Sequence, residues 1–378
     1  MKAGLVAGLL LALSAMPAGA GGYADFNAGI AARNGRHCDL AVARETAALD
    51  APDLLASLRP TAFLVRGECK LFDGKVEASI ADFDAALASK PGDIRAHLMR
   101  GVALTGLKRY DAAVADLKDV IRLRPDLTVG YIGLGTVYNE QRLTDLAIDQ
   151  FSALIAAQPM YAIGYLLRGH AYLAKGDMDS ALGDADHIVS LMPQDSTGYS
   201  LRASVHQTQG KFDRALSDLG DVLDRRPGDI FATLLKGTVQ WELGRYSGAE
   251  ETLAPLAQSD VTGGYALLWL YLARLADHKP VDDLAAPAAK LDRAKWPGPL
   301  VTLYLGQSTA DAVVAGFATA SAEDRERNVC EGEFYVGEWQ LWHDAKDAGL
   351  TLLRKAASDC PVSYVERAAA TAELGRTR

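Results

Sequence analysis

Five prolines recur at a constant interval of 34 residues, and this spacing constrains the fold more than any other feature of the chain. They are Pro91, Pro125, Pro159, Pro193 and Pro227. Glycines and alanines keep the same interval at other offsets, namely Gly67, Gly101, Gly135, Gly169 and Gly237, then Ala113, Ala147, Ala181, Ala215 and Ala249. A period of 34 residues predicts a helix–turn–helix repeat that stacks on its neighbours, and therefore an all-α solenoid.

Each recurring residue type has a physical explanation. A proline ends the second helix because it lacks an N–H group and crowds the preceding turn. A glycine inside a helix costs about 1 kcal/mol relative to alanine. Its recurrence therefore predicts a neighbouring helix that is too close for a Cβ atom, and the recurring alanine is the predicted small partner on the second helix. Six repeats, the first starting at residue 60, account for residues 60–262.

Aromatic residues at a further position, among them Tyr131, Tyr165 and Tyr199, complete a pattern that resembles the tetratricopeptide-repeat (TPR) family. The resemblance implies a solenoid of antiparallel helix pairs that is mostly a non-catalytic platform for protein partners. It also implies that the first helices line a concave groove, where an apolar helix or an extended peptide would lie. The predicted groove residues are Leu98, Val102, Ile132, Asn139, Leu166, His170, Phe231 and Trp241. Trp241 is the predicted anchor, and the alternative is that several of these residues only pack against neighbouring helices.

Arginine and aspartate recur together within four of the six repeats. The pairs are Arg66 with Asp82, Arg100 with Asp116, Arg168 with Asp184, and Arg202 with Asp218. In the other two repeats both residues change at once, to Leu134 with Gln150 and to Lys236 with Thr252. This joint occurrence predicts a structural ion pair between the two helices of one repeat.

Residues 1–20 have the order of a secretory signal. A single cation, Lys2, precedes an apolar run from Leu5 to Leu13, and the small residues Ala18-Gly19-Ala20 follow. The apolar run is shorter than the roughly 20 residues that cross a bilayer. We therefore expect an exported chain, periplasmic or secreted, with no membrane span.

The four cysteines are expected to form disulfides, because export leads to an oxidising compartment. Four cysteines allow three pairings. The sequence spacing and the register of the repeats favour two local ones, Cys38 with Cys69 and Cys330 with Cys360.

The two ends depart from the regular pattern. Residues 21–59 are predicted to form a degenerate N-terminal helical repeat, and residues 263–378 a helical C-terminal region in which the period is lost. Gly337 and Pro361 restore the 24-residue offset and predict a degenerate repeat at 330–363. This arrangement resembles the TPR scaffold lipoproteins of the bacterial envelope, although no lipid-attachment cysteine follows the signal.

The composition and the motifs narrow the possible functions. A formal charge of −9 argues against a nucleic-acid partner. The sequence contains no HExxH, GxSxG or phosphate-loop motif, so neither catalysis nor a metal or cofactor is predicted. The acidic residues Glu331, Glu333 and Glu338 are interpreted as part of a solvated face. We predict a non-enzymatic exported scaffold for envelope proteins. The alternatives are a subunit of a polysaccharide synthesis or export machine, and a hydrolase with its site in the C-terminal region.

Overall fold

The computed structural model describes residues 21–258, 263–317 and 320–376. The predicted export signal at residues 1–20 lies outside them. Every regular element in the described residues is helical, and no strand occurs among them. The chain is thus an all-α repeat protein, as its 34-residue period predicts. It divides into two compact units, one ending at Pro159 and the other beginning at Met160.

The first unit is a stack of helical hairpins. Its described residues form α1 (Gly22–Asn34), α2 (Cys38–Asp50), α3 (Arg59–Phe72), α4 (Val76–Ser89), α5 (Ile94–Gly106), α6 (Tyr110–Leu123), α7 (Thr128–Glu140) and α8 (Thr144–Ala157). Each helix packs against the next along the chain, and the first helices of the hairpins, α1, α3, α5 and α7, also contact one another in succession.

The second unit begins with three further hairpins and continues into the C-terminal region. The hairpins are α9 (Ala162–Lys175) with α10 (Met178–Leu191), α11 (Thr197–Thr208) with α12 (Phe212–Arg225), and α13 (Ile230–Glu242) with α14 (Tyr246–Leu253). The C-terminal region contains α15 (Gly263–Ala276), α16 (Ala285–Ala288), α17 (Gly298–Tyr304), α18 (Ala310–Phe317), α19 (Ala322–Leu341), α20 (Lys346–Asp359) and α21 (Val365–Arg376).

The recurring glycines make room for large side chains, which corrects the prediction that a small alanine is their partner. A Cβ atom at Gly135 would lie 2.3 Å from Cε1 of Phe151, and one at Gly237 would lie 2.4 Å from Cγ of Leu253. Phe151 and Leu253 each stand four residues after the recurring alanine, one turn further along the second helix. At these two positions the glycine therefore lets a large apolar side chain of the second helix reach the backbone of the first, whereas at Gly169 the closest side chain is Leu201 on the first helix of the next repeat.

The turn within a repeat needs one residue with positive φ. Gly176 ends α9 in the left-handed conformation, with φ of 86°. Lys108 occupies the equivalent position after α5 and holds a φ of 57°. A residue with a Cβ atom is strained in this conformation. The turn geometry is therefore kept in this repeat, which lacks the glycine, in spite of the strain.

Helices α15 and α19 form the centre of the C-terminal region. Trp269 on α15 packs against Phe334 and Tyr335 on α19, with ring centroids 5.3 and 5.8 Å apart, and all three side chains are buried. The last helix, α21, packs against α19 and α20, and it also contacts α11 and α13, the first helices of the two preceding hairpins. The end of the chain therefore folds back onto the helices that were predicted to line the groove.

Candidate functional site

The predicted groove residues of the first unit include exposed apolar and polar side chains. Val102 on α5 is 49% exposed, and Asn139 on α7 is also exposed. Leu98 and Ile132 are half-buried on the same two helices. Since α5 and α7 contact each other, this face offers apolar surface for a partner. For the half-buried Leu98 and Ile132, packing against neighbouring helices stays the alternative to contact with a partner.

Three predicted residues of the second unit remain accessible to different degrees. His170 on α9 is exposed, and Leu166 one turn earlier is half-buried. Phe231 on the first turn of α13 is 69% exposed, an unusual position for a phenylalanine. It lines the cavity described below.

Trp241 is not an exposed anchor, and this prediction is corrected. Its side chain is only 2% exposed. The indole meets the rings of Trp269 and Phe334 edge-on, with centroids 5.4 and 6.0 Å away. The guanidinium of Arg376 on α21 covers the ring at 4.5 Å from its centroid and donates a hydrogen bond to the Glu242 carbonyl at 2.9 Å. Trp241 is buried because the C-terminal region packs on the end of the repeat array.

The four predicted Arg–Asp pairs are side-chain ion pairs in the structure. The arginine–aspartate N···O distances are 2.6 Å for Arg66–Asp82, 2.7 Å for Arg100–Asp116, 2.7 Å for Arg168–Asp184 and 2.6 Å for Arg202–Asp218. In each pair two guanidinium nitrogens donate to the buried carboxylate. Such two-point contacts fix the orientation of one helix on the other.

Two of these arginines also reach a second aspartate that the sequence analysis missed. Nη1 of Arg202 donates to Asp186 at 2.8 Å, and Arg100 donates in the same way to Asp84. Both additional aspartates belong to the second helix of the preceding hairpin. The common interval of 16 residues between each aspartate and its arginine is the sequence signal that could have revealed them. These arginines therefore connect successive repeats as well as the helices of one repeat.

The cysteines lie together in the predicted pairs. A disulfide joins Cys330 on α19 to Cys360 after α20, with Cα atoms 5.3 Å apart. Cys38 and Cys69 are thiols in the structure, with Sγ atoms 2.6 Å apart. A bond between that second pair stays a prediction.

Glu331 and Glu338 are buried inside the C-terminal region, which corrects their interpretation as a solvated face. They are 6% and 1% exposed, whereas Glu333 is half-buried. Helix α19 contacts α17, α18, α20 and α21, and most residues of its second half are buried. A sequence signal existed, because Glu331, Phe334, Tyr335 and Glu338 follow the i, i+3, i+4, i+7 spacing of a buried helix face. Their charge alone suggested solvent exposure.

A cavity of about 400 Å³ opens beside Glu331, between α13, α15, α19 and α21. Its walls are largely apolar, and two carboxyl groups, those of Glu331 and Glu366, line it. The remaining lining residues are Phe231, Leu234, Leu235, Thr238, Tyr265, Trp269, Tyr364 and Val365. The cavity has the size and the apolar character of small-molecule and side-chain pockets.

Neutral groups hold the two carboxyl groups in place. The Tyr265 hydroxyl and the Trp296 indole N–H both donate to Oε2 of Glu331, at 3.0 and 2.6 Å. The Tyr335 hydroxyl donates to Glu366 over a longer distance of 3.4 Å. Burial raises the pKa of Glu331, although both hydrogen bonds oppose the rise. Burial and then the neighbouring Glu331 raise the pKa of Glu366 to about 8.

Comparison with known proteins identifies the repeats. A family model described as "Tetratricopeptide repeat" matches residues 70–127 and 132–195, and a second model with the same description matches residues 207–276. Together the matched segments span about half of the chain. The chain belongs to the tetratricopeptide-repeat family.

Two solved structures share this fold at low sequence identity, and a third is a weaker match. A tetratricopeptide repeat protein from Parabacteroides merdae is 16% identical with a TM-score of 0.54, and the match covers 67% of this chain and 98% of that one. The C-terminal part of a TPR repeat-containing protein from Cytophaga hutchinsonii is 16% identical with a TM-score of 0.50, covering 61% and 94%. PilW, a widely conserved type IV pilus biogenesis factor, is 18% identical with a TM-score of 0.46, covering 53% and 93%.

Two further findings bear on partners and ligands. Within residues 21–258, 263–317 and 320–376, no helix combines the length and the apolar character needed to cross a membrane. In the same residues, no group of three or more His, Cys, Asp or Glu side chains is arranged to hold a metal ion. The first-helix surface and the C-terminal cavity are two candidate sites in the described chain.

Proposed function

We propose that this protein is an exported, non-enzymatic scaffold that binds envelope proteins through the exposed face of the first helices of its repeats. TPR repeats imply protein partners. The observation that supports this face is the exposure of Val102 on α5 and of Val129 on α7, which are 49% and 41% accessible on adjacent first helices. Neighbouring exposed apolar side chains are typical of surfaces that bind another protein.

In the second unit the corresponding face is partly occupied by the chain itself. Helix α21 contacts α11 and α13, and Trp241 is buried beneath it. The first-helix face of α5 and α7 is therefore the better surface for testing the scaffold role.

A capture experiment tests the surface. The variant Val102→Asp with Val129→Asp places two charges on the first-helix face, and we expect its envelope partners to be lost from affinity capture of the full chain in its native cells. Leu146→Asp is the matched control, because Leu146 is 42% exposed on the second helix α8. The surface assignment fails if the double variant retains the partners that the control retains.

Export is a separate part of the proposal. The signal-like order of residues 1–20 supports it, as does the presence of paired cysteines. Mass spectrometry of the mature N-terminus in a fractionated culture tests it. We expect the chain outside the cytoplasm with cleavage after Ala20, and an intact Met1 in the cytoplasmic fraction would contradict export.

A further inference from the structure

The cavity in the C-terminal region combines an apolar wall with acidic groups. Phe231 and Leu234 from α13 and Trp269 from α15 supply apolar surface on one side, while Glu331 from α19 and Glu366 from α21 line the other. Phe231 is mostly exposed, so the cavity is accessible from solvent. A ligand that fits must therefore offer both apolar surface and a group that complements carboxylates.

The two carboxyl groups are buried without an ion-pair partner among the described residues. Glu331 and Glu366 are 6% and 5% exposed, and the side chains that donate to them are Trp296, Tyr265 and Tyr335. In the part of the chain that the structure describes, neither forms an ion pair with Lys, Arg or His. Hydrogen bonds from neutral donors orient a carboxylate but do not cancel its charge, and a buried charge without a partner is costly.

The titration of the pair agrees with this geometry. Burial and the proximity of Glu331 raise the pKa of Glu366 to about 8, so near neutral pH one of the two groups keeps its proton. A cation between them would remove the repulsion and favour the ionised form of both. Arg327 on the same helix lowers the pKa of Glu331 from beyond ion-pair distance and pairs with Asp324. A cation within the cavity would therefore supply a contact that the described residues do not.

We propose that this cavity binds a primary alkylammonium ion, with the ammonium group at Glu331 and Glu366 and the methylene stem against Phe231, Leu234 and Trp269. The ammonium group supplies three N–H donors to the carboxylates. The aromatic rings favour a cation at their faces, and they cover an apolar stem as protein surfaces cover the stems of lysine side chains. A lysine side chain of a partner and a free small amine share this chemistry. The proposal does not depend on the scaffold role.

Calorimetric titration of the full chain with pentylamine and with pentanol tests the charge requirement. The two probes have the same apolar stem, and only pentylamine carries a charge. At about pH 8.5 the amine is still protonated and Glu366 is largely ionised. We expect pentylamine to bind at least about tenfold more tightly than pentanol, which corresponds to about 1.4 kcal/mol. Equal binding of the two, or no binding of pentylamine, would overturn the proposal.

Isosteric variants test the assignment to these residues. Glu331→Gln and Glu366→Gln each remove one charge while keeping a side-chain carbonyl that accepts the existing hydrogen bonds. We expect each to weaken pentylamine binding at least about tenfold, while Glu333→Gln, on the same helix outside the cavity, changes it by less than about twofold. Thermal unfolding followed by circular dichroism checks that the variants fold. Unchanged affinity in both folded cavity variants would place the amine elsewhere.

A third probe distinguishes the two sources of the ammonium group. Acetyl-lysine amide, acetylated on its α-nitrogen, presents the ammonium from a peptide backbone. Binding of this probe with the same dependence on Glu331 and Glu366 supports a lysine of a protein partner. Binding of pentylamine alone supports a free small amine. The proposal is contradicted when neither probe binds, and this outcome leaves the first-helix surface of α5 and α7 unaffected.

Discussion

Buried carboxylates have opposite environments in the regular repeats and in the C-terminal region. In the repeats, Asp116 is almost fully buried and receives two hydrogen bonds from Arg100 and one contact from His97. In the C-terminal region, Glu338 and Glu366 are equally buried, yet neither forms an ion pair among the described residues. The repeat aspartates that pair with arginine are thus compensated, whereas these two glutamates of the C-terminal region have no ion-pair partner among the described residues. Glu45 on α2 and Glu242 on α13 are buried acids outside this pattern, and burial raises the pKa of both.

This difference separates a structural role from a functional one. A paired buried charge fixes the geometry of two helices, and its removal leaves a stranded partner. An unpaired buried acid has a strongly shifted pKa, and such groups occur preferentially at binding and catalytic sites. The repeats are therefore expected to respond to loss of a carboxylate, and the C-terminal region to a change of its ionisation.

Removing the aspartate of one repeat pair should have the largest effect. Asp116→Ala strands Arg100 and His97, and we expect the free energy of unfolding to fall by about 3 kcal/mol. Urea denaturation of the full chain followed by circular dichroism measures the change. Asp84→Ala is the control, since Asp84 is an exposed partner of the same arginine and should cost less than about 1 kcal/mol. Equal losses would show that burial does not distinguish the two contacts.

Stability should fall as pH rises, because of the uncompensated glutamates. Glu366 is faced by Glu331 and Tyr335 from α19, by Tyr265 from α15 and by Glu242 from α13. Its pKa is raised to about 8 in the folded chain, whereas the unfolded chain releases the proton near pH 4.5. Between these values the folded state binds more protons, so unfolding becomes easier with rising pH by up to about 1.4 kcal/mol per unit.

The loss expected from Glu366 alone between pH 5.5 and pH 7.5 is about 2.5 kcal/mol. Glu45 on α2, whose pKa burial also raises to about 8, adds a loss of the same sign, so the contribution of Glu366 is the difference between the native chain and Glu366→Gln. Urea denaturation at a series of pH values, read from the fluorescence of the buried tryptophans Trp241 and Trp269, measures it. An equal pH dependence in Glu366→Gln and in the native chain would mean that Glu366 does not keep a raised pKa and that a counterion already compensates it.

Replacing an uncompensated glutamate by glutamine should stabilise the chain. This change in the free energy of unfolding has the opposite sign to the change expected for loss of a repeat aspartate. Burial holds the pKa of Glu338 well above its usual range, and its Oε1 has no hydrogen-bond donor among the described residues. We expect Glu338→Gln to raise the free energy of unfolding at pH 7.5 by about 1.5 kcal/mol. Glu333→Gln, half-buried on the same helix, should change it by less than about 0.5 kcal/mol. A clear loss of stability in Glu338→Gln would contradict the comparison.

The smallest predicted effect concerns backbone strain in the turn of one repeat. Lys108 holds a φ of 57° in the turn after α5, and this left-handed conformation lowers the stability of the repeat. We expect Lys108→Gly to stabilise the chain by about 0.5 kcal/mol, because relief of the left-handed strain exceeds the entropy cost of glycine. Arg109→Gly, at the next residue with φ of −86°, should be destabilising. Thermal unfolding of both variants provides the test, and a fall in Tm for Lys108→Gly would reject the strain.

What could be predicted from the sequence depends on the distance between the interacting residues. Arg100 and Asp116 are 16 residues apart within one hairpin, so a period of 34 residues repeats both of them together. Trp241 and Arg376 are 135 residues apart, and no period connects them. The burial of Trp241 and the cavity at Glu331 arise where the C-terminal region folds back on the array, and such contacts leave no regular trace in one sequence.

The most direct test of the central claim is the pKa of Glu366 itself. Carbon NMR of the full chain labelled at glutamate carboxyl groups gives this value, with the signal assigned by its absence in Glu366→Gln. We expect the carboxyl signal of Glu366 to titrate with a midpoint at about pH 8 in the protein without added amine. A midpoint at or below the ordinary value of 4.5 would show that a cation already compensates this carboxylate, and the contrast between the two regions would not hold.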